Sequence, residues 1–240
     1  KSQQEKLIIK ERHEAWENLA RKLAHEIKNP LTPIQLTIDR LKSKYSEKVA
    51  DHEKEDFSKS LLIIGKQINQ IENLVNEFSD FARMPKPILK DNNLVSLIKD
   101  NIKLINELDD KIIIDFKASK SDILLNSDNE QLSRVFFNLI KNSIESIQEK
   151  KINNIDLIGK IDIYLNDNAE KINFSIIDNG LGFGIFVDNL NDILNPYFTT
   201  KKKGTGLGLS IVNKIINDHN GKINFISLEN GAKIEIIFKK

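Results

Sequence analysis

Cysteine is absent from the 240 residues. Its absence removes disulfide frameworks, thiolate zinc sites and cysteine nucleophiles together, and it fits a reducing compartment. A dominant charge is missing too: 36 Lys and Arg against 35 Asp and Glu leave +1, so no global field recruits nucleic acid or an anionic membrane, although a local phosphate site stays open. No stretch reaches the roughly 20 consecutive apolar residues of a membrane span, and no secretory leader pattern is present. The chain opens at Lys1 rather than Met, so a longer protein with a sensor or membrane anchor upstream is expected. At 40% hydrophobic and 30% charged, the composition is that of a globular chain, long enough for two ordinary domains of about 100–150 residues.

Proline is scarce, and its five positions punctuate the chain: Pro30, Pro33, Pro85, Pro87 and Pro196. Before Met84-Pro85-Lys86-Pro87 there is no strand-like alternation and glycine occurs only at Gly65; after it come short β-branched runs and nearly all the glycines. Closely spaced prolines stop a helix, which puts a domain boundary there: residues 1–84 and 85–240. The first part reads as two long helices joined by the polar residues 43–57. In the second helix Leu61, Ile64, Ile68, Ile71, Val75 and Phe78 form an a/d seam. In the first, Ile27, Leu31, Ile34, Ile38, Leu41 and Tyr45 do the same, preceded by Trp16, Leu19 and Leu23. Pro30 and Pro33 should bend this helix. Two helices bury their seams poorly alone, so dimerisation into a four-helix bundle is expected.

The second part alternates strands and helices. Period-two patterns occur at Ile161-Ile163-Leu165, Ile172-Phe174-Ile176 and Ile234-Ile236-Phe238, with apolar runs over residues 112–116 and 123–125; helical patterns cover residues 94–108, 129–150 and 207–218. One apolar face per strand with helices on that face implies a two-layer α/β sandwich.

The chemistry-bearing residues fall into a few clusters. His25 lies two residues past Leu23 and two before Ile27, about 200° round a helix, so its imidazole faces water rather than the seam. Glu26 adjoins it and Asn29 is one turn on, near the same face. An exposed imidazole beside a carboxylate can act as a nucleophile, although most surface histidines are nothing more; His13, His52 and His219 take that plainer reading. Asn138 and Asn142 share one face of a helix, and a carboxamide oxygen can ligate Mg²⁺. Asp178-Asn179-Gly180-Leu181-Gly182 follows the apolar strand 172–177. A carboxylate there can accept the exocyclic amine of adenine while the glycines let backbone approach the base; taken singly, it is a tight turn. Gly204-Thr205-Gly206-Leu207-Gly208-Leu209 opens an amphipathic helix, a setting that favours phosphate. It is neither a Walker A loop nor a Rossmann fingerprint.

In this order the clusters resemble the boxes of sensor histidine kinases of two-component systems, over essentially the whole chain. His25-Glu26-Ile27-Lys28-Asn29-Pro30-Leu31-Thr32-Pro33-Ile34 resembles the H box, residues 138–142 the N box and residues 178–182 the aspartate–glycine box. Pro196-Tyr197-Phe198-Thr199-Thr200-Lys201 resembles the F box and residues 204–209 the second glycine box. The double-proline H box and the Pro-Tyr-Phe-Thr-Thr F box are similar to the nitrogen-regulation branch.

The resemblance implies a long helical hairpin forming a dimeric four-helix bundle, then a sandwich of the GHKL ATPase type. It makes His25 the phosphoacceptor, Glu26 its general base and Asn29 the residue that assists removal of phosphate from a response regulator. Asn142 would hold Mg²⁺, Asn138 would lie near the phosphates of ATP, and Asp178, with Gly180 and Gly182, would read adenine. Lys201, Gly204, Thr205, Gly206, Leu207 and Gly208 would form the phosphate end, and residues 183–203 a mobile lid. The partners implied are a second copy of the chain and a receiver domain, that of a transcription regulator; direct nucleic-acid binding is not implied. The location implied is the cytoplasmic side of a bacterial inner-membrane sensor whose spans lie upstream. Two departures stand out: Phe183-Gly184 replaces the usual aliphatic residue and proline, and Ser143 replaces the usual Ala, a change expected to be without consequence. The rival readings are a GHKL-type ATP hydrolase, disfavoured because Asn138 stands where those enzymes carry a water-activating Glu; a serine kinase, which would lack the hairpin; and a silent or phosphatase-dominant two-component scaffold.

Overall fold

The computed structural model describes residues 3–82, 84–107, 111–183, 190–195, 198–199 and 205–240. Two compact units emerge, one ending at Pro85 and one beginning at Lys86, with Thr205 grouped with the first.

The first unit is a hairpin of α1 (Gln3–Tyr45) and α2 (Lys54–Ala82). Lys42 and Lys44 close α1, and Glu55 and Asp56 open α2, each sign placed where the helix dipole favours it. Leu31, Ile38, Leu61 and Ile68 form the hairpin's core cluster, with Phe57 packed against it. Most buried positions recur every seven residues: Ala24, Leu31 and Ile38 on α1, and Leu61, Ile68, Val75 and Ala82 on α2, with Ala20 and Ser79 buried outside that series. The other half of the expected seam behaves differently. Leu23, Ile27, Ile34, Leu41, Ile64 and Ile71 stay between 36% and 45% exposed. Between residues 23 and 71 the hairpin therefore closes only one of its two heptad layers. The side chains of Trp16 and Leu19 lie outside the described residues. Pro30 and Pro33 sit inside α1, which runs through both without interruption.

The second unit holds β1 (Lys90–Asn93), α3 (Leu94–Asn106), β2 (Ile113–Ala118), β3 (Leu124–Ser127), α4 (Asn129–Asn153), β4 (Lys160–Asp167), β5 (Lys171–Asp178), a 3-10 turn (Leu190–Leu194), α5 (Gly208–Asp218), β6 (Gly221–Leu228) and β7 (Gly231–Lys239). The helices begin where their caps stand: Asn93 accepts from the Val95 N–H at 3.0 Å and Asp128 from the Gln131 N–H at 3.0 Å. β1 pairs with β3, and a five-stranded sheet runs β2-β4-β5-β7-β6, parallel only between β2 and β4. β1 and the edge strand β6 have no counterpart among the expected strands; the other elements fall close to their expected positions.

Register explains the core. Ile163, Ile176 and Ile234 make one row across the sheet, and Leu165, Phe174 and Ile236 the next; all are buried on one face. Helices α3, α4 and α5 cover that face with Leu94, Ile98, Leu132, Leu139, Ile211 and Ile215, and Phe136 of α4 meets Phe174 of β5 at 4.9 Å between ring centres. The result is the two-layer sandwich that the alternation implied.

His219, 6% exposed, ties the ends of two helices together. Its Nε2 accepts from the Asp128 N–H at 2.9 Å, and its Nδ1 pairs with the Ile215 carbonyl at 2.8 Å, which requires the neutral ring with the proton on Nδ1. Burial alone would raise the Asp128 carboxyl, but hydrogen bonds from the Ile88, Gln131 and Glu130 N–H groups hold it below its ordinary 3.8. The stability this supplies is present above that value and lost as pH falls through the lower folded-state value. Replacing His219 by Ala leaves a part-buried N–H without its partner and should cost about 1–3 kcal/mol, read as a thermal midpoint several degrees lower by circular dichroism; an unchanged midpoint would mean that this tie does not stabilise the fold.

Candidate active site

On α1, His25, Glu26 and Asn29 are all exposed. His25 and Asn29, four apart, share a face, while Ala24 and Leu31 turn inward. Glu26 is 59% exposed in its side chain and makes a loose 3.9 Å pair with Lys22, one turn earlier, an arrangement that holds the carboxylate only weakly. Proline has no N–H. Pro30 therefore cannot donate to the Glu26 carbonyl, nor Pro33 to that of Asn29, so the helix is weakest in hydrogen bonds along the stretch that follows His25.

In the second unit the strand pattern does something the motif alone does not reveal. Asp178 continues the alternation Ile172, Phe174, Ile176, and so lands on the helix-covered face, opposite Ile161 and Ala232. It is 6% exposed. Burial pushes its carboxyl above the ordinary range, opposed by hydrogen bonds from the Gly180 N–H, the Ser143 hydroxyl and the Ala232 N–H and by the charge of Lys150. The distances are 2.9 Å from Gly180 N to Oδ1 and 3.1 Å from Ser143 Oγ to Oδ2.

Helix α4 supplies most of this support. Asn138 and Asn142, both half-buried, continue at four-residue steps into Ser146 and Lys150, one face of the helix. Ser146 Oγ accepts the Leu181 N–H at 2.9 Å. Lys150 donates to the carbonyls of Asn179 at 3.0 Å and Gly180 at 2.9 Å, charge-assisted bonds stronger than neutral ones. Asn179 in turn anchors the start of β4, accepting from the Lys160 N–H at 2.9 Å and donating to the Ile158 carbonyl at 2.8 Å.

The glycines divide by need. A Cβ on Gly180 would lie 2.3 Å from Ser146 Oγ and 2.8 Å from Ser146 backbone, so the loop's closeness to α4 depends on it. Gly182 has φ +76° and Gly206 φ +71°, left-handed values that favour glycine. Gly208 has open space around its Cβ position and starts α5 as any residue could. Leu207 is fully buried and its carbonyl accepts both the Ile211 N–H and the Ser210 hydroxyl. Thr205 is half-buried. Lys201, Gly204, Pro196, Tyr197, Thr200 and Gly184 lie outside the described residues, as does most of the expected lid. Phe183, the first departure, packs edge-on against Phe225 of β6 at 5.5 Å and 86°.

Sequence reasoning missed Ser146, Lys150 and Gly231, and took Ser143 as inert. Gly231 has φ +110°, and a Cβ there would fall 1.8 Å from the Asp178 carbonyl; its Asn230-Gly231 dipeptide between two strand patterns is a hairpin signal. The period-four extension of the Asn138–Asn142 face would have found Ser146 and Lys150.

A nucleotide with Mg²⁺ suits this donor set. Among the described residues no three His, Cys, Asp or Glu side chains cluster to cage a metal, whereas Mg²⁺ commonly takes one or two protein oxygens and completes its shell with phosphates and water; the Asn142 carboxamide can be that oxygen. A buried acceptor carboxylate beside tight glycine backbone matches a base carrying an amine.

Residues 15–87 match the family described as His Kinase A (phospho-acceptor) domain, and residues 127–240 the family described as histidine kinase-, DNA gyrase B- and HSP90-like ATPase. Over 237 residues the chain is 37% identical to an NtrY-like sensor histidine kinase of Rickettsia prowazekii, covering 98% of this chain and 38% of that protein. Over 235 residues it is 37% identical to the nitrogen regulation protein NtrY of Azorhizobium caulinodans, covering 97% and 30%. The chain thus spans well under half the length of these relatives. The catalytic domain of histidine kinase ThkA is similar with a TM-score of 0.55 and 32% identity, covering 63% of this chain and 95% of that one. ThkA in complex with response regulator protein TrrA gives 0.65 and 29% identity over 96% of this chain and 64% of that one.

Gly231→Ala should be severely destabilising, since strain at positive φ adds to a backbone clash, whereas Gly208→Ala should leave the thermal midpoint within about 1 °C or raise it, Ala being the better helix former. Parallel melts of the two variants decide this; equal behaviour would contradict the geometry.

Proposed function

The chain belongs to the two-component sensor histidine kinases, of the nitrogen-regulation type, and we propose that it is the kinase core of such a sensor, phosphorylating itself on His25 from ATP and passing the phosphoryl group to an aspartate of a response-regulator receiver domain. The observation that carries this reading is one chain holding an exposed His25 within its phosphoacceptor match and a buried, donor-fed Asp178 within its ATPase match.

The roles follow from chemistry. Asp178 accepts the adenine amine, with Gly180 and Gly182 keeping backbone close. Asn138, Asn142, Gly206, Leu207 and Gly208 serve the phosphate end, together with Lys201, Gly204 and Thr205. Mg²⁺ on Asn142 neutralises phosphate charge when bound. A His25 ring nitrogen attacks the γ-phosphorus as the bond to the bridging oxygen breaks and ADP leaves, and Glu26 takes the imidazole proton. Little covalent work remains for the protein, so positioning His25 in line with that phosphorus supplies much of the rate. Asn29, on the His25 face, supports a further phosphatase activity toward the regulator. Asn138 is a poor base, which disfavours steady ATP hydrolysis.

The half-closed heptad layers of α1 and α2 support a homodimer, in which Ile27, Ile34, Ile64 and Ile71 meet a second copy as a four-helix bundle. A boundary at residues 84 and 85 separates the two working parts. ThkA was solved with a response regulator; by analogy the partner here is a receiver domain, that of a transcription regulator. No helix among the described residues is long and apolar enough to cross a membrane; membrane attachment in the whole protein would come from segments outside this chain, leaving the core on the cytoplasmic side.

Incubation with γ-labelled ATP and Mg²⁺ should label the chain with an acid-labile, alkali-stable phosphate that disappears in His25→Ala; label surviving in that variant would defeat the reading. The weak hydrogen bonding after His25 also makes residues 26–33 the natural hinge of α1. Replacing Pro30 and Pro33 together by Ala restores two backbone bonds, and should shift the ratio of kinase to phosphatase activity several-fold with the helix content preserved. An unchanged ratio would sink the hinge.

A further inference from the structure

The contact between Ser143 and Asp178 has a consequence for base selection. Ser143 is 3% exposed and its hydroxyl donates to Asp178 Oδ2 at 3.1 Å, while Oδ1 takes the Gly180 N–H at 2.9 Å. Each carboxylate oxygen thus has a fixed donor, one from a helix and one from the loop's own backbone, and with the Ala232 N–H of β7 as a third donor the plane of the group is set. A hydroxyl that donates to Oδ2 also declares that oxygen an acceptor. A base presenting an amine there completes the network; a base presenting a carbonyl faces an acceptor with an acceptor, a pairing expensive in a buried site.

We propose that Ser143 is a positioning residue that holds Asp178 as an oriented acceptor and thereby sharpens selection of a 6-amino purine over a 6-oxo purine. This rests on the reading of Asp178 as the base-reading group. Ser143 touches no phosphate-end residue through this contact, so its effect should fall on the base and not on the triphosphate. Lys150 and Ser146 fix the loop backbone at Asn179, Gly180 and Leu181, leaving Ser143 as the side chain that orients the carboxylate itself.

The test is equilibrium binding of ATP and of ITP to the full chain with Mg²⁺, by calorimetry, for the parent, Ser143→Ala, Ser143→Cys and Asp178→Asn. In Ser143→Ala the ATP affinity should fall roughly five- to tenfold, less than the loss of a direct bond to the ligand because Asp178 keeps its own contact with the base and loses only its orientation, with ITP affinity within about twofold of the parent, so the ratio narrows. Ser143→Cys keeps the volume but donates weakly, and should lie between; it serves if the Ala variant folds poorly. Equal losses for ATP and ITP would make Ser143 a packing residue and overturn the proposal, as would no change in either. Asp178→Asn separates the premise from the proposal. If it collapses the ATP-to-ITP ratio while the Ser143 variants do not, only the role of Ser143 fails; if it leaves the ratio intact, the reading of Asp178 fails and takes the proposal with it.

Discussion

A carboxylate buried at the end of an apolar strand is the constraint around which the α/β unit is arranged. Strand β5 places Asp178 where its period of two calls for another Ile or Phe, and an uncompensated charge there would be prohibitive. The fold answers with donors from three directions: Ser143 from α4, Gly180 from the following turn and Ala232 from β7. Each donor demands close approach, and close approach demands glycine. Gly231 passes the Asp178 carbonyl at a distance that leaves no room for a Cβ, and Gly180 does the same against Ser146. Those glycines are the steric consequence of keeping one acceptor buried and available, and only one of the two falls within a recognised box.

What the sequence disclosed divides along the same physical line. Helices and central strands announce themselves because burial imposes a period: Ile172, Phe174 and Ile176 alternate, and Leu61, Ile68 and Val75 recur by seven. The edge strand β6 did not, since only Gly221 of its residues is buried and an exposed edge puts little pressure on its pattern. The short β1, Lys-Asp-Asn-Asn, is wholly polar and is strand only because β3 pairs with it. Site residues followed suit. His25, Asn142 and Asp178 sit in local motifs that can be read in a line; Ser143, Ser146 and Lys150 act on residues 29–35 positions away, a pairing that exists only after α4 has packed on β5.

The hairpin turns on a different economy. A two-helix unit has one mutual interface, so a heptad pattern with two apolar positions per repeat offers more surface than one chain can cover. Here the division is regular: Leu31 and Ile38 meet Leu61 and Ile68 inside the chain, while Ile27, Ile34, Ile64 and Ile71 form the alternate layers left half-open. The same helix that carries this stripe surrenders backbone bonds at Glu26 and Asn29 to two prolines. Rigid packing on one side and weakened backbone on the other leave the His25 turn as the part of α1 that can change shape at least cost.

Helix α4 joins the two ends of the nucleotide site by geometry alone. Asn138, Asn142, Ser146 and Lys150 advance four residues at a time, about 6 Å per step, so the two carboxamides proposed for the phosphate end and the loop-holding Ser146 and Lys150 are fixed along one unstretchable rod. Phe136 packed at a tilt against Phe174 seats that rod on the sheet, and Asp128, capped by its own backbone partners and by His219, sets where it begins. A helix so fixed cannot adjust the separation of its two ends to suit a different ligand. What remains adjustable is the detail at each end: which side chain faces the metal, and which hydroxyl faces the carboxylate. Ser143 is a change of the second kind, made without moving the rod: a single oxygen added beside Asn142 reaches the Asp178 carboxylate and leaves the spacing of Asn138 and Asn142 as it was.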